Sequence, residues 1–577
     1  MAKTQRRAKN VVKPRTHKAK KSKQEFTKEQ IAEARALELD LNAALLSPDY
    51  AKACQIADVY IEKYKRKLSY RHLVILAEVY LQTNQYKKSF DLLMDALKMD
   101  AKSEAAPEIL FWVYHKMGNA SRANEVLDQL KNEGPPERQK TYSEWEILRG
   151  NVEADQAKVL AAFEKAGALP EHDNPRFHEL MFAYLMALSS ENRADEAAKI
   201  LYEIPEDLRY RTPNLPMIEG QIIKSGGDTP GAIEHYTRVL EKFNGLPEAR
   251  WNRALCNLEM GRLESGWEDW YHRFDWDQFP SPRIQLDAPR WNGEDLTGKT
   301  LLLWAEQGLG DQLLFLSLAL PLVVNPDIDV ILAVHPKLVE FVRTWYPDAR
   351  VETLNLIDSR GVAEYADADY QMPLGDLPIM FMRTDESLSS RPIRLMRSNP
   401  ELRRLICSKE GWPDDSIIVG VCWRSSVVDA SRSVHYVNVN MVDSLRNNLP
   451  EDVKFVNLQY ALTQEETDTL TELGVHIPEP EFYNDILAHG LHVGICDYVV
   501  TPLSLTNQLA GLFDVNTITW TPAPGNWVFL GKRQYPWYRS IATIMLDHDH
   551  SRSSLVYQIG RWLNVAIGAD TQARASC

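Results

Sequence analysis

The residues best suited to chemistry stand just beyond short apolar runs in the second half of the 577-residue chain. Thr300–Trp304 is followed by Glu306-Gln307-Gly308-Leu309-Gly310-Asp311. Two glycines let a backbone approach a ligand closely, and a helix starting there turns its first N–H groups toward an anion. Glu306 and Asp311 are the carboxylates placed to take a proton from an acceptor hydroxyl, with Gly310 beside them. Asp311 has a second reading, as a cap on the helix it opens.

Four more strand-end loops carry polar groups. Ile417–Trp423 leads to Arg424-Ser425-Ser426 and then Arg432-Ser433, an arginine and hydroxyl set suited to bidentate phosphate binding. The plain alternative is an arginine paired with a neighbouring acid. Val453–Gln459 ends in Gln459 and Tyr460, within reach of a base or ribose, or simply a satisfied polar turn. Tyr498–Pro502 leads into Leu503-Ser504-Leu505-Thr506-Asn507-Gln508. Ser504, Thr506 and Asn507 there either cap the next helix or join its N–H groups in holding a phosphate. Finally, Trp527, Lys532, Arg533, Tyr535, Trp537 and Tyr538 crowd one loop, which reads as ligand stacking and charge neutralisation or as a packed aromatic corner.

Other chemistries lack their residues. No HExxH, P-loop, CxxC pair or GxSxG elbow is present, so metal and acyl-transfer chemistry have no support. Six cysteines without paired spacing read as reduced thiols of a cytosolic protein. His435 and His489 fall near element ends and are read as structural.

These loops need a scaffold that brings strand ends together. Apolar runs at Thr300–Trp304, Val330–His335, Ala349–Leu354, Ile417–Trp423, Val453–Gln459, Tyr498–Pro502 and Asn516–Pro522 alternate with helical stretches. That alternation predicts doubly wound parallel sheets, which bind ligands beyond the carboxyl ends of their strands. Two Rossmann-like halves are expected, at 290–397 and 409–577, facing a cleft as in a GT-B fold.

The preceding part follows a different period. From about Thr27 to Phe274 apolar residues recur at i, i+3, i+4 and i+7. Tyr80 and Leu93 return as Tyr114 and Leu127, and Gly220, Ala232 and Tyr236 return as Ala254, Gly266 and Trp270, always 34 positions on. Two helices of about 14 residues with their turns fill such a period, and small residues fall where helices cross closely. Residues 26–278 are therefore expected to form tetratricopeptide-like repeats, an α-helical solenoid that recognises a protein. Between 140 and 215 the pattern weakens, although Arg193–Leu201 reads as the second helix of another pair.

Charge divides the chain again. The formal net charge is −14, yet residues 1–24 hold ten Lys or Arg and no acid, which leaves the remainder at −24. Residues 1–25 cannot bury a core and are expected to be a disordered basic tail, either an electrostatic arm or a solubilising one. The acidic body argues against general nucleic-acid binding. No apolar stretch reaches the ~18 residues of a membrane span, and the amino end lacks the apolar centre of a secretory signal.

PRWNGEDLTGKTLLLWAEQGLGDQLLF, VGVCWRSS, VNLQY, CDYVVTPLSLTNQLAGLF and YPWYRS together resemble bacterial proteins that fuse tetratricopeptide repeats to a GT-B glycosyltransferase domain. That domain is related to heptosyltransferases and, more distantly, to O-GlcNAc transferases. In heptosyltransferase relatives the Gly-Asp after the first strand carries the proposed base, matching Gly310-Asp311. Their Asp-Thr/Ser-Gly-x-x-His helix start falls on Leu503–Gln508, with Leu503 for the acid and Gln508 for the histidine, a departure from an ADP-heptose site.

The resemblance implies a cytoplasmic, metal-independent protein O-glycosyltransferase. Its nucleotide-sugar donor, CMP- or UDP-linked, would contact Gly310, Arg424, Ser425, Gln459, Tyr460, Ser504, Thr506, Asn507 and Lys532. No other cofactor is implied. The acceptor would be a Ser or Thr of a protein held by the repeats, flagellin and nonulosonic acids being among the family's pairings. Two alternatives stay open: a glycolipid or small-molecule transferase, and a non-catalytic scaffold, which Leu503 and Gln508 permit.

Overall fold

A computed structural model describes residues 50–576, apart from 65–67, 84, 101–104, 118, 134–137, 153–155, 167–168, 175, 192, 282–285, 355–366, 426–435, 523–525 and 547–550. The expected basic tail and the first residues of the expected array lie outside these, as do Arg432, Ser433 and His435. The chain divides into two compact units at 167/168.

The first unit is helical. Tyr70–Gln82 pairs with Tyr86–Met99, and Ala105–Lys116 with Ala120–Glu133. Ser69 starts the first of these by accepting from the His72 N–H. The repeat positions are the buried ones: Ala77, Leu93, Ala96, Ala123 and Leu127 have no exposed surface, and Tyr80 has 1%. Small residues at the crossings and large ones between them close each hairpin on its neighbour.

Hairpins continue in the second unit: Phe177–Ser190 with Ala194–Glu203, Asn214–Ser225 with Thr229–Lys242, and Pro247–Glu259 with Leu263–Tyr271. Gly220 shows why the period keeps a small residue. A Cβ there would lie 2.4 Å from the Tyr236 ring. The 34-residue pattern thus runs through both units, but packing separates the early hairpins from the later ones, which share their unit with the sheets.

Strands β1 (Lys299–Trp304), β2 (Ile328–Val334), β3 (Arg350–Thr353) and β4 (Tyr370–Pro373) form a parallel sheet in the order β3-β2-β1-β4. Strands β5 (Ile418–Val421), β6 (Lys454–Asn457), β7 (Tyr498–Val500), β8 (Asn516–Pro522) and β9 (Ile541–Leu546) form a second, in the order β6-β5-β7-β8-β9. The β4 and β9 strands are additional to the seven read from sequence.

Both faces of the second sheet are covered, which accounts for its nearly continuous apolar strands. Ile418, Cys422 and Val499 enter a core shared with the first sheet and with Trp267 and Trp270 of the last hairpin. Val419, Val421, Tyr498 and Val500 face the opposite way, against Leu555, Ile559 and Leu563 of the final helix, Arg552–Ser576.

Candidate functional site

The carboxyl ends of the two sheets meet at a cleft of about 640 Å³. After β1, Gln307–Asp311 enters it; after β5, Ser425; after β6, Tyr460; after β7, Pro502–Leu505 with Gln508; and at the end of β8, Trp520 and Thr521. Asn526, Trp527, Val528 and Tyr535 form one further wall, and Tyr436, Phe482, Tyr483 and Ile486 another.

Two helices point their amino ends here. Leu309–Leu316 follows β1 and Leu505–Leu512 follows β7, and they pack against each other. Gly310 sits at this contact, where a Cβ would lie 3.8 Å from the Leu505 Cα, an ordinary van der Waals distance. The Leu505–Leu512 helix has no side-chain cap: Ser504 precedes it, and its hydroxyl is instead 3.1 Å from that of Thr501. Its first N–H groups thus form an uncapped positive end beside the cleft.

Asp311 lies in the first turn of the other helix, and its Oδ2 accepts from the Gly308 N–H at 3.2 Å. The capping role and a place in the cleft wall coexist at this residue. Gln508 Nε2 donates to the Tyr535 hydroxyl at 2.7 Å. Burial, reinforced by the nearby Asp311 and Tyr538, raises the Tyr535 phenol far above its ordinary pKa and keeps it neutral. Gln307 Nε2 and Gln508 Oε1, both on cleft-lining residues, are buried without a hydrogen-bond partner, as are both amide atoms of Asn507.

Gly310, Asp311, Ser425, Tyr460 and Ser504 therefore come together. The other expected site residues are differently employed. Glu306 is corrected from base to anchor: neither its side chain nor that of Arg273 has exposed surface, and the two form a paired salt bridge. Arg273 Nε donates to Glu306 Oε2 at 2.9 Å, and the Gly375 N–H donates to Glu306 Oε1 at 2.8 Å. Burial alone would lower the Arg273 pKa, but the Glu306 and Asp376 carboxylates reverse that and raise it.

Arg424 does not line the cleft. Its guanidinium pairs with Glu466 at 2.7 Å and donates to the Ala461 carbonyl at 2.9 Å. Burial pushes the Glu466 carboxyl up, but hydrogen bonds from Arg424, Thr463 and Trp423 bring it below the usual range. Gln459 is buried and braces the β5 end, its Oε1 accepting from the Trp423 and Arg424 N–H groups at 3.1 and 3.0 Å. Thr506 and Asn507 are fully buried beneath the helix start. Lys532 pairs with Asp385 at 2.8 Å outside the cleft.

The aromatic loop divides between the cleft and the core. Trp527 and Tyr535 line the cleft, whereas Trp537 and Tyr538 are packed below. Trp527 also reaches Trp270 at 4.9 Å between ring centroids and Phe315 at 6.2 Å, joining this loop to the last hairpin and to the helix after β1. His489, read from sequence as structural, is fully buried. Its ring stacks on Phe482 at 4.6 Å, and burial lowers its pKa to about 3.

Tyr436, Phe482, Tyr483, Trp520 and Thr521 were not anticipated. Trp520 and Thr521 lie at the end of a strand read from sequence, and the strand-end rule applied to β8 would have found them. Tyr483 is also a bridge across the mouth: Lys337, just after β2, sits 3.5 Å above its ring and donates to its carbonyl at 2.9 Å. Among the described residues, no helix is long and apolar enough to cross a membrane, and no group of three or more His, Cys, Asp or Glu is placed to hold a metal ion.

No family model matches the chain. Protein FlbA of Caulobacter vibrioides is 30% identical over 316 residues, covering 51% of this chain and 51% of that protein. The chain thus spans about half the length of this curated relative. Among solved structures, E. coli ADP-heptose lps heptosyltransferase II is 11% identical and covers 46% of this chain and 98% of its own, with a TM-score of 0.35. The Thermobaculum terrenum O-GlcNAc transferase is 12% identical over 95% of this chain and 93% of its own, with a TM-score of 0.25. A tetratricopeptide repeat protein from Parabacteroides merdae is 13% identical over 42% and 93%, with a TM-score of 0.34. Helical hairpins that start 33 to 38 residues apart in the two units, followed in the second by two parallel sheets whose carboxyl ends share a cleft, give this chain tetratricopeptide-like helical repeats and a GT-B-like pair of Rossmann-type sheets.

Proposed function

We propose that the chain is a cytoplasmic glycosyltransferase that moves a sugar from a nucleotide donor to a Ser or Thr hydroxyl of a protein recognised by its helical repeats. The observation that carries this reading is the convergence of Asp311 and the uncapped Leu505–Leu512 amino end on one cleft. In this reading the donor phosphate lies at that helix end, near Ser504 and Ser425, and Tyr460 is at hand for the base or ribose. Asp311 takes the acceptor hydroxyl proton as the new carbon–oxygen bond forms and the sugar–phosphate bond breaks. The phosphate leaves with its charge held by the helix dipole and hydroxyls. Gln307 Nε2 and Gln508 Oε1, unpartnered in the wall, are suited to sugar hydroxyls. Five free cysteines among the described residues accord with a reducing compartment.

Resemblance to flagellin-modifying members favours flagellin as acceptor and a CMP-linked nonulosonic acid as donor. A second reading, a nucleotide-binding scaffold without transfer, draws support from the capping bond that Asp311 makes to Gly308. The test is a thermal-shift panel with CMP, UDP, GDP and ADP on the full chain, then intact-mass analysis of co-expressed candidate acceptors. A nucleotide at 100 times its Kd adds about 2.7 kcal/mol. A shift with one nucleotide and added sugar mass on an acceptor, lost in Asp311→Asn, supports the transferase. Nucleotide binding without mass gain supports the scaffold, and no shift with any nucleotide rejects both.

A further inference from the structure

The loop that carries Asp311 holds a backbone conformation that its own residues disfavour. Gln307 has φ 59°, the left-handed region that a side chain with an unbranched stem enters at a cost. Such a conformation persists where surrounding contacts over-determine it. Beside the Gly375 N–H on Glu306 and the Gln312 side-chain amide on the Gln307 carbonyl, two contacts bracket this residue from the end of the helical array and the segment leaving it.

On one side, Glu306 is gripped by Arg273, which stands two residues after the last helix, Leu263–Tyr271. Arg273 is itself fixed, donating to the Trp270 carbonyl at 3.2 Å and to Asp376 Oδ1 at 2.8 Å. Arg290 closes the set by donating to Asp376 Oδ2 at 2.6 Å. On the other side, the Gln307 N–H donates to the Ser281 hydroxyl at 2.9 Å, and Ser281 is 9% exposed. The residues on either side of the Glu306–Gln307 peptide bond are thus both held by a segment that precedes the first sheet.

We infer that Arg273 and Ser281 are positioning residues that clamp Gln307 in its left-handed conformation and so set Gly308–Asp311 at the cleft wall. The segment leaving the last helical hairpin is then part of the transferase machinery. This rests on the transferase reading for its functional meaning, whereas the clamp itself can be judged separately.

The test is hydrogen exchange on the full chain, read at the Gly308 and Gln312 amides. Their acceptors, Asp311 Oδ2 and the Gly308 carbonyl, lie inside the loop and on neither anchor. Ser281→Ala removes one anchor mildly, and Glu306→Gln weakens the other while keeping its shape. Each should speed exchange at both amides about tenfold or more, with β1 and the Leu263–Tyr271 helix unchanged. Gln307→Asn, added to Ser281→Ala, should restore slow exchange, because asparagine tolerates the left-handed region. Arg253→Lys removes the two-point contact of Arg253 with Asp269 within the last hairpin and should leave the two amides alone.

Exchange within about twofold of wild type in both single variants would overturn the clamp. So would an equal rise throughout β1–β4, which marks a general structural role. The exchange result judges the clamp whatever the nucleotide panel returns; failure of every nucleotide to bind wild type would instead sink the transferase reading. Where a donor is turned over, Ser281→Ala should lower kcat and leave the nucleotide Kd within about twofold.

Discussion

Gly310 and Leu505 meet where the two sheets converge, with a Cβ on the glycine only 3.8 Å from the Leu505 Cα. The contact joins the amino ends of two helices, one from each Rossmann-like half, beside the same cleft. Gly310→Ala should therefore be accommodated, raising stability by at most about 0.5–1 kcal/mol through its helical position. Gly310→Phe should wedge the ends apart and abolish nucleotide-dependent thermal shifts. Calorimetry of both variants with and without nucleotide checks the pair; equal behaviour would show that the approach is unimportant.

Asp311→Asn keeps an acceptor oxygen for the Gly308 N–H and removes the basic one. Folding stability should stay within about 1 kcal/mol of wild type, the scale of a helix cap. Sugar transfer should fall by about 10²–10⁴-fold, the usual contribution of a general base. Denaturant titration and acceptor mass analysis measure the two effects separately. Transfer at wild-type rate would remove Asp311 from the chemistry.

Arg273→Met leaves the Glu306 and Asp376 carboxylates facing one another without the guanidinium between them. Removing one member of a buried ionic set costs about 3–5 kcal/mol. Urea unfolding should show that loss in the transition of the second unit. An exposed pair such as Lys98–Asp95 should yield less than about 1 kcal/mol when broken by Lys98→Ala.

The buried His489 ring predicts a pH effect. Its folded pKa is lowered from 6.5 to about 3, so the unfolded chain binds its proton first as pH falls. Stability is unaffected by this group above pH 6.5 and is lost between 6.5 and about 3, by up to about 1.4 kcal/mol per pH unit. Unfolding free energies of wild type and His489→Gln, compared from pH 7 to 4.5, should diverge in slope by that order. Parallel profiles would contradict the burial argument.

The repeats were legible because a helical crossing constrains residue size at a fixed distance along the chain: Gly220 faces the Tyr236 ring, and a small residue and a large aromatic one, Ala254 and Trp270, stand 34 positions on. Strands such as Ile418–Val421 and Tyr498–Val500 were legible as apolar runs because both faces of their sheet are buried. Tyr370–Pro373 and Ile541–Leu546 escaped notice, the first because it is four residues ending in proline, the second because it follows a loop crowded with aromatics. Strand-end logic also located Asp311, Ser425, Tyr460 and Ser504 at one cleft, since parallel topology carries every such loop to the same edge.

Which charged groups remained for that cleft was decided by tertiary structure alone. Glu306 and Asp311 lie five residues apart in one loop, but Arg273 and Gly375 draw the first into the interior while the second stays in the cleft wall. Arg424 was drawn to Glu466 and Lys532 to Asp385 by partners that come near only when the chain folds. Amino-acid types and their spacing determined the elements and the edge at which they gather, because those follow from local sterics and periodic burial. The assignment of the buried Glu306 and the part-buried Arg424 followed from long-range pairing, because an ion held away from water requires a partner and takes the one the fold brings nearest.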